Sequence, residues 1–139
     1  MRFMVIVKAN KDSEAGVMPT EAMLAEMGRF NEEMVKAGVM LSGEGLHPSA
    51  RGARIRFSEG GVSVVDGPFP ESRDLACGFW MIQVASREEA IAWMTRAPFE
   101  PGSELELRQV FEAEDFGEAL TPELREQEER LRAEVAARS

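Results

Sequence analysis

The residues best suited to chemistry in this chain are few and local. Asp66 ends the run Val62-Ser63-Val64-Val65 and is followed by Gly67-Pro68-Phe69-Pro70. The valines suit a pleated strand. Gly67 admits backbone angles closed to other residues, and each proline fixes its own φ and pushes the residue before it toward an extended form. A carboxylate at such a corner is held still, as a general base or a ligand-orienting group must be. Turn chemistry competes with this reading, because an Asp before Gly-Pro often bonds its own backbone N–H groups. His47 is the sole histidine, and its unperturbed pKa near neutrality suits acid/base work. Glu44, in Gly43-Glu44-Gly45, is a second carboxylate on a flexible bend. A His47–Asp66 pair, with the carboxylate orienting the ring, is the sharpest mechanism these residues offer. It requires two separate loops to meet. The simpler reading leaves His47 solvated and Glu44 an ordinary exposed acid.

Around these groups, Arg54, Arg56 and Arg73, with Arg51 nearby, form a basic set in an acidic chain. Guanidinium forks fit a carboxylate-bearing ligand; pairing with Glu59, Glu71 or Asp74 is the plainer alternative. Phe69, Phe79 and Trp80 can line an apolar pocket, with core packing the default for each. The candidate catalytic residues are therefore Asp66, His47 and Glu44, and the candidate ligand-binding residues are Phe69, Arg73, Arg54 and Trp80. No metal ligands are expected, because one histidine and one cysteine do not make a zinc site. There is no phosphate loop, Rossmann glycine fingerprint or serine nucleophile elbow, so no cofactor is expected. Cys77, the only cysteine, has no intrachain disulfide partner and reads as a packed small hydrophobe.

The elements that must position these groups follow from periodicity. Phe3–Val7 is a continuous apolar run, a strand buried on both faces. Thr20 caps a helix whose Met23, Met27, Phe30 and Met34 form one stripe, with Gly38 as its stop. A second strand begins at Val39 and runs into the Gly43-Glu44-Gly45 segment, read as a bulge or bend. Ala53–Phe57 and Val62–Val65 flank Ser58-Glu59-Gly60-Gly61 as a hairpin. Ala76–Val84 is a third long strand. Ser86 and Glu89 form a capping box for a helix ending before Pro98. A last strand alternates through Leu105, Leu107 and Gln109. Without the hairpin the order is βαββαβ, an α+β ferredoxin-like pattern with helices on one face of an antiparallel sheet. Strands apolar on both faces need a cover for the second face, which predicts a homodimer packed sheet on sheet. Residues 112–139 form an acidic linker and an extra C-terminal helix opened by Thr121-Pro122, packed on the same domain or on its dimer partner. Glu126/Arg130 and Glu128/Arg132 are spaced to support that helix.

Asp66-Gly67-Pro68-Phe69 also resembles the signature of the DGPF branch of the YCII-related proteins. The resemblance extends to Ser42-Gly43-Glu44-Gly45-Leu46, Gly78-Phe79-Trp80 and Glu104-Leu105-Glu106-Leu107-Arg108, and covers most of residues 1–111. It implies a ferredoxin-like protomer in a dimeric α+β barrel. Shorter relatives pair a helix-borne histidine with an aspartate as the proposed active site; the helix Thr20–Ala37 here has no histidine, so that site does not carry over. Some relatives act in the breakdown of chlorinated aromatics, and DGPF-type domains are sometimes linked to sigma factors. Two functions are thus expected in turn. The first is a cofactor-free acid/base enzyme, lyase or isomerase in type, acting on a small organic acid or aromatic compound. The second is a non-catalytic ligand-binding or regulatory module working through protein contacts and linked to transcription control.

Charge and length narrow the remaining classes. The chain has 139 residues, about one domain, and a net charge of −9. Between Glu112 and Arg138 nine acids face four arginines. Nucleic acid is not an expected partner, since it needs a basic face. The N-terminal apolar run is too short for a signal peptide and no run approaches a membrane span. A cytoplasmic protein without a membrane partner is expected.

Overall fold

The structure is a computed structural model that describes residues 1–70 and 74–138. It separates into two compact units, Met1–Gln109 and Val110–Ser139.

In the first unit, β1 (Arg2–Lys8), β2 (Met40–Gly45), β5 (Ala76–Gln83) and β6 (Leu105–Gln109) form one sheet in the order β2-β5-β1-β6. Every neighbouring pair is antiparallel. Helix α1 (Lys11–Glu14) and helix α2 (Glu21–Lys36) lie between β1 and β2, and helix α3 (Arg87–Met94) lies between β5 and β6. Setting aside the hairpin β3 (Ala53–Ser58) and β4 (Gly61–Asp66), this is the ferredoxin-like βαββαβ order, with each crossover helix linking strands that flank a third. The hairpin is a two-stranded sheet of its own.

The register explains which face carries the core. Phe3 lies opposite Ile82, and Val5 opposite Trp80 and Leu107. These side chains join Phe30 and Met34 of α2 and Ala90 and Met94 of α3 in one buried cluster. The next residues in register point the other way, as strand alternation requires. Met4 opposite Met81 and Ile6 opposite Phe79 form an apolar strip on the face away from α2 and α3. That strip is half-buried rather than enclosed, so β1 and β5 are fully covered on one face only. In α2 the apolar stripe narrows to Met27, Phe30 and Met34, while Met23, Leu24 and Val35 are exposed.

Local choices follow from the sequence. Thr20 accepts a hydrogen bond from Met23 N at 3.2 Å and caps α2. Ser86 caps α3 through Glu89 N, but the Glu89 carboxylate returns to Ala85 N rather than to the cap residue. The irregularity in β2 lies at Leu41, between Met40 and Ser42. Gly43 serves a different purpose, because a Cβ there would sit 2.6 Å from Trp80 Cδ1. The strand must therefore be bare where the indole crosses it.

In the second unit, a 3-10 segment over Ala113–Ala119 precedes α4 (Pro122–Ala137), capped by Thr121. The expected Glu126/Arg130 and Glu128/Arg132 pairs do not form; Arg125 instead lies 3.9 Å from Glu114. Phe111 and Phe116 stack at 5.1 Å between centroids. Among the described residues no helix is long and apolar enough to cross a membrane.

Candidate functional site

Asp66 is the last residue of β4, paired across the hairpin with Ala53. The corner after it is fastened to another loop. Gly67 N donates to Gly52 O at 3.0 Å. The α-carbon of Gly67 lies so close to the backbone of Ser49 that a Cβ would stand 1.8 Å from Ser49 O. No side chain fits there, so glycine is required by close approach. Phe69 N donates to Ser49 Oγ at 3.0 Å. The Gly67–Pro68 peptide is cis. Among the described residues the carboxylate of Asp66 takes part in no hydrogen bond or ion pair, and the residue is exposed. The turn is thus built without its acid.

The loop that receives the corner is the 3-10 turn Ser49–Arg51, which follows β2. Ser49 is itself gripped by Glu14. The Ser49 hydroxyl donates to Glu14 Oε2 at 2.5 Å and Ser49 N donates to Glu14 Oε1 at 2.9 Å. These two bonds, the hydroxyl first, hold the Glu14 carboxyl below the usual glutamate range, because both favour its charged form. Glu14 ends α1, whose Asn10 and Ser13 bond each other's backbone at the helix start. Next to it, Ala9 N donates to Leu75 O at 2.8 Å.

Cys77 lies at the same end of the sheet, its thiol 3.6 Å from Lys8 O. Burial pushes the thiol pKa up, with the Glu14 charge adding to that shift and a Ser13 contact opposing it. It is therefore a poor nucleophile. Glu44 is exposed on β2 and sits across from Phe79 on the face away from α2 and α3. On the same face Glu106 lies 3.2 Å from Lys8 and 3.3 Å from Arg108, and these cations, Lys8 first, lower its pKa.

His47 and Asp66 make no bond to each other. Arg51 Nη1 stands 3.2 Å from His47 Nδ1 and 3.1 Å from Nε2. One nitrogen cannot lie in the ring plane along both lone pairs. That nitrogen therefore lies off the ring plane, beside the face of the imidazole. Arg54 and Phe69 do meet, with the guanidinium carbon 3.9 Å from the ring centroid. Trp80 requires a correction. It is 5% exposed, meets Phe30 and Phe99 edge-on, and donates Nε1–H to Asn31 Oδ1 at 2.9 Å. A side chain packed on all sides and hydrogen-bonded internally lines no open pocket. Arg73 lies outside the described residues. Among the described residues no group of three or more His, Cys, Asp or Glu could hold a metal ion.

Glu14 and Ser49 were not legible as site residues. Each is ordinary in its own segment, and only the fold brings them together across 35 positions.

Comparison with known proteins adds family membership. The YCII-related domain matches residues 1–114. An uncharacterised protein of Rhizobium meliloti (strain 1021) is 32% identical over 71 residues, 51% of this chain. The match spans 57% of that relative's length. A solved structure of 5-chloro-2-hydroxyhydroquinone dehydrochlorinase from Burkholderia phenoliruptrix AC1100, in complex with 2,5-dihydroxybenzoquinone, covers 82% of this chain and 98% of its own at 16% identity and a TM-score of 0.39.

Proposed function

We propose, from the premise that the chain belongs to the YCII-related family, that it is a cofactor-free acid/base enzyme. It moves a proton on a small organic acid or aromatic compound in a lyase- or isomerase-type step, with Asp66 as the base. The observation that carries this reading is the division of labour at the corner. Gly67, Phe69 and Ser49 fasten the turn, while the Asp66 carboxylate has no hydrogen bond or ion pair among the described residues. A held carboxylate with unused lone pairs is what general-base chemistry requires. Arg54 over Phe69 offers a cation and an aromatic face beside it, suited to a carboxylate-bearing or aromatic substrate. Glu44 and His47 are the two further groups available to return the proton. We place the protein in the cytoplasm as a homodimer, joined through the strip of Met4, Ile6, Phe79 and Met81 on the face away from α2 and α3.

A second reading, a non-catalytic module acting through protein contacts, is favoured by the hairpin. Ile55 opposite Val64 and Phe57 opposite Val62 give it an apolar face in which Phe57 is 81% exposed.

The experiment that separates the readings is deuterium exchange into small oxo acids and hydroxylated aromatics, followed by proton NMR. Wild-type protein accelerates exchange at the acidified C–H of its substrate. Asp66→Asn lowers that rate by about 10²- to 10⁴-fold, the usual contribution of a general base. Equal rates from the two proteins overturn the assignment.

A further inference from the structure

The hairpin that carries Asp66 shares no strand pairing with the four-stranded sheet. Left to itself, its end would move with the hairpin and not with the sheet. Something must tie Asp66 to the frame that carries Glu44 and Phe79. We propose that Glu14 is the positioning residue for that corner, acting through Ser49 to fix the turn on which the candidate base is carried. The inference rests on the reading of Asp66 as the base.

Three connections converge here: the one after β1 supplies Glu14, the one after β2 supplies Ser49, and the one after β4 supplies Gly67 and Phe69. Both oxygens of Glu14 are used on a single residue, one on Ser49 N and one on Ser49 Oγ. This fixes the rotation of the Ser49 side chain. With its proton committed to Glu14, the hydroxyl presents a lone pair to Phe69 N–H at 3.0 Å. A hydroxyl that donates to a charged carboxylate is also the stronger acceptor. The same residue's carbonyl is the surface against which Gly67 is pressed. The path continues to the sheet, because Glu14 ends α1 and Ala9, just before α1, is bonded to Leu75. The carboxylate of Glu14 thus links the sheet to the turn through side chain, hydroxyl and amide in series.

The relay depends on the ionised form of Glu14. Its pKa is lowered in the folded protein. The stabilisation is therefore complete above the ordinary glutamate value and is lost as pH falls through the depressed folded value. The titratable group that the structure couples to Glu14 from a packed strand is Cys77. Its raised pKa keeps it a neutral thiol throughout the acid range, so it does not contribute to that titration. Ser13, from the same helix as Glu14, does not titrate.

The test is nitrogen-15 NMR on the whole chain. In wild-type protein the amides of Ser49 and Phe69 titrate together, with a midpoint below the ordinary glutamate value. Glu14→Gln abolishes that titration and speeds exchange of the Phe69 amide about 10-fold, the loss expected for one hydrogen bond. Ser49→Ala speeds the same exchange while leaving Glu14 in place. In the deuterium-exchange assay, Glu14→Gln lowers the Asp66-dependent kcat by about 10- to 100-fold with little change in KM, as a misplaced base does. Flat Phe69 and Ser49 shifts across the acid range, or a titration that survives in Glu14→Gln, overturn the relay. Because those shifts need no substrate, the relay fails or stands separately from the base. Loss of the relay signals with an intact Asp66 effect removes Glu14 alone. An intact relay with no Asp66→Asn effect removes the base, and leaves Glu14 no catalytic group to position.

Discussion

Asp66 and Glu14 are both carboxylates near one turn, and their surroundings give them different work. Glu14 spends both oxygens on Ser49, whereas Asp66 spends neither on any described residue. Asp66 was legible in the sequence because Gly67-Pro68 marks a corner wherever it occurs. The sequence left open whether Asp66 serves chemistry or caps its own turn. The close approach of Gly67 to Ser49 fastens the corner from the glycine side. Gly67→Ala forces a methyl into a carbonyl 1.8 Å away, so the backbone must part. The expected cost is about 3 kcal/mol, at the upper end for overpacking, read as a lower urea midpoint; a midpoint equal to wild type would contradict the packing. Glu14 was illegible because its partner is distant in sequence. His47 was legible as a titratable group, but its nearest partner is Arg51, one helical turn onward, and not Asp66. Histidine before a proline fixes no direction for its ring, so nothing in the sequence could have made that choice.

At the scale of elements, local signals carried far. Thr20, Ser86 and Thr121 each cap the helix they precede, because an N-cap is a contact within four residues. The strand starts and the hairpin are also local and were readable. Where the reading departed, tertiary contact decided. The glycines at Gly43 and Gly45 suggested a bulge, yet the irregularity falls at Leu41. Gly43 is bare because Trp80 lies over it, a contact between strands that only the register reveals. The edge-on rings of Phe30 and Phe99 against Trp80 add about 0.5–1.5 kcal/mol each beyond the area they bury. Phe79, its neighbour on the same strand, faces the other side because successive strand residues alternate. The i,i+4 pairs expected in α4 failed for a related reason: exposed charges gain little by pairing, and spacing alone does not draw them together.

For the whole molecule, the βαββαβ order was readable from periodicity, whereas the strand order β2-β5-β1-β6 pairs strands that are far apart in the chain and became visible only in the fold. Assembly is a matter of the second face. Met4, Ile6, Phe79 and Met81 form a continuous apolar strip on the face away from α2 and α3, and patches of that kind mark interaction surfaces. A dimer mass by light scattering at micromolar concentration is expected. Met81→Glu on that strip shifts it to the monomer, and a wild-type monomer contradicts the homodimer. Whether Asp66 is held by its corner or holds it shows in global stability. Urea denaturation of Asp66→Ala tests it without any substrate. An acid that caps its own turn costs about 1 kcal/mol when removed, while an exposed side chain with no partner changes stability by no more than about 0.5 kcal/mol. The second result is expected, with the carboxylate left for chemistry. A loss of about 1 kcal/mol or more would show that the acid builds the turn, and would contradict it.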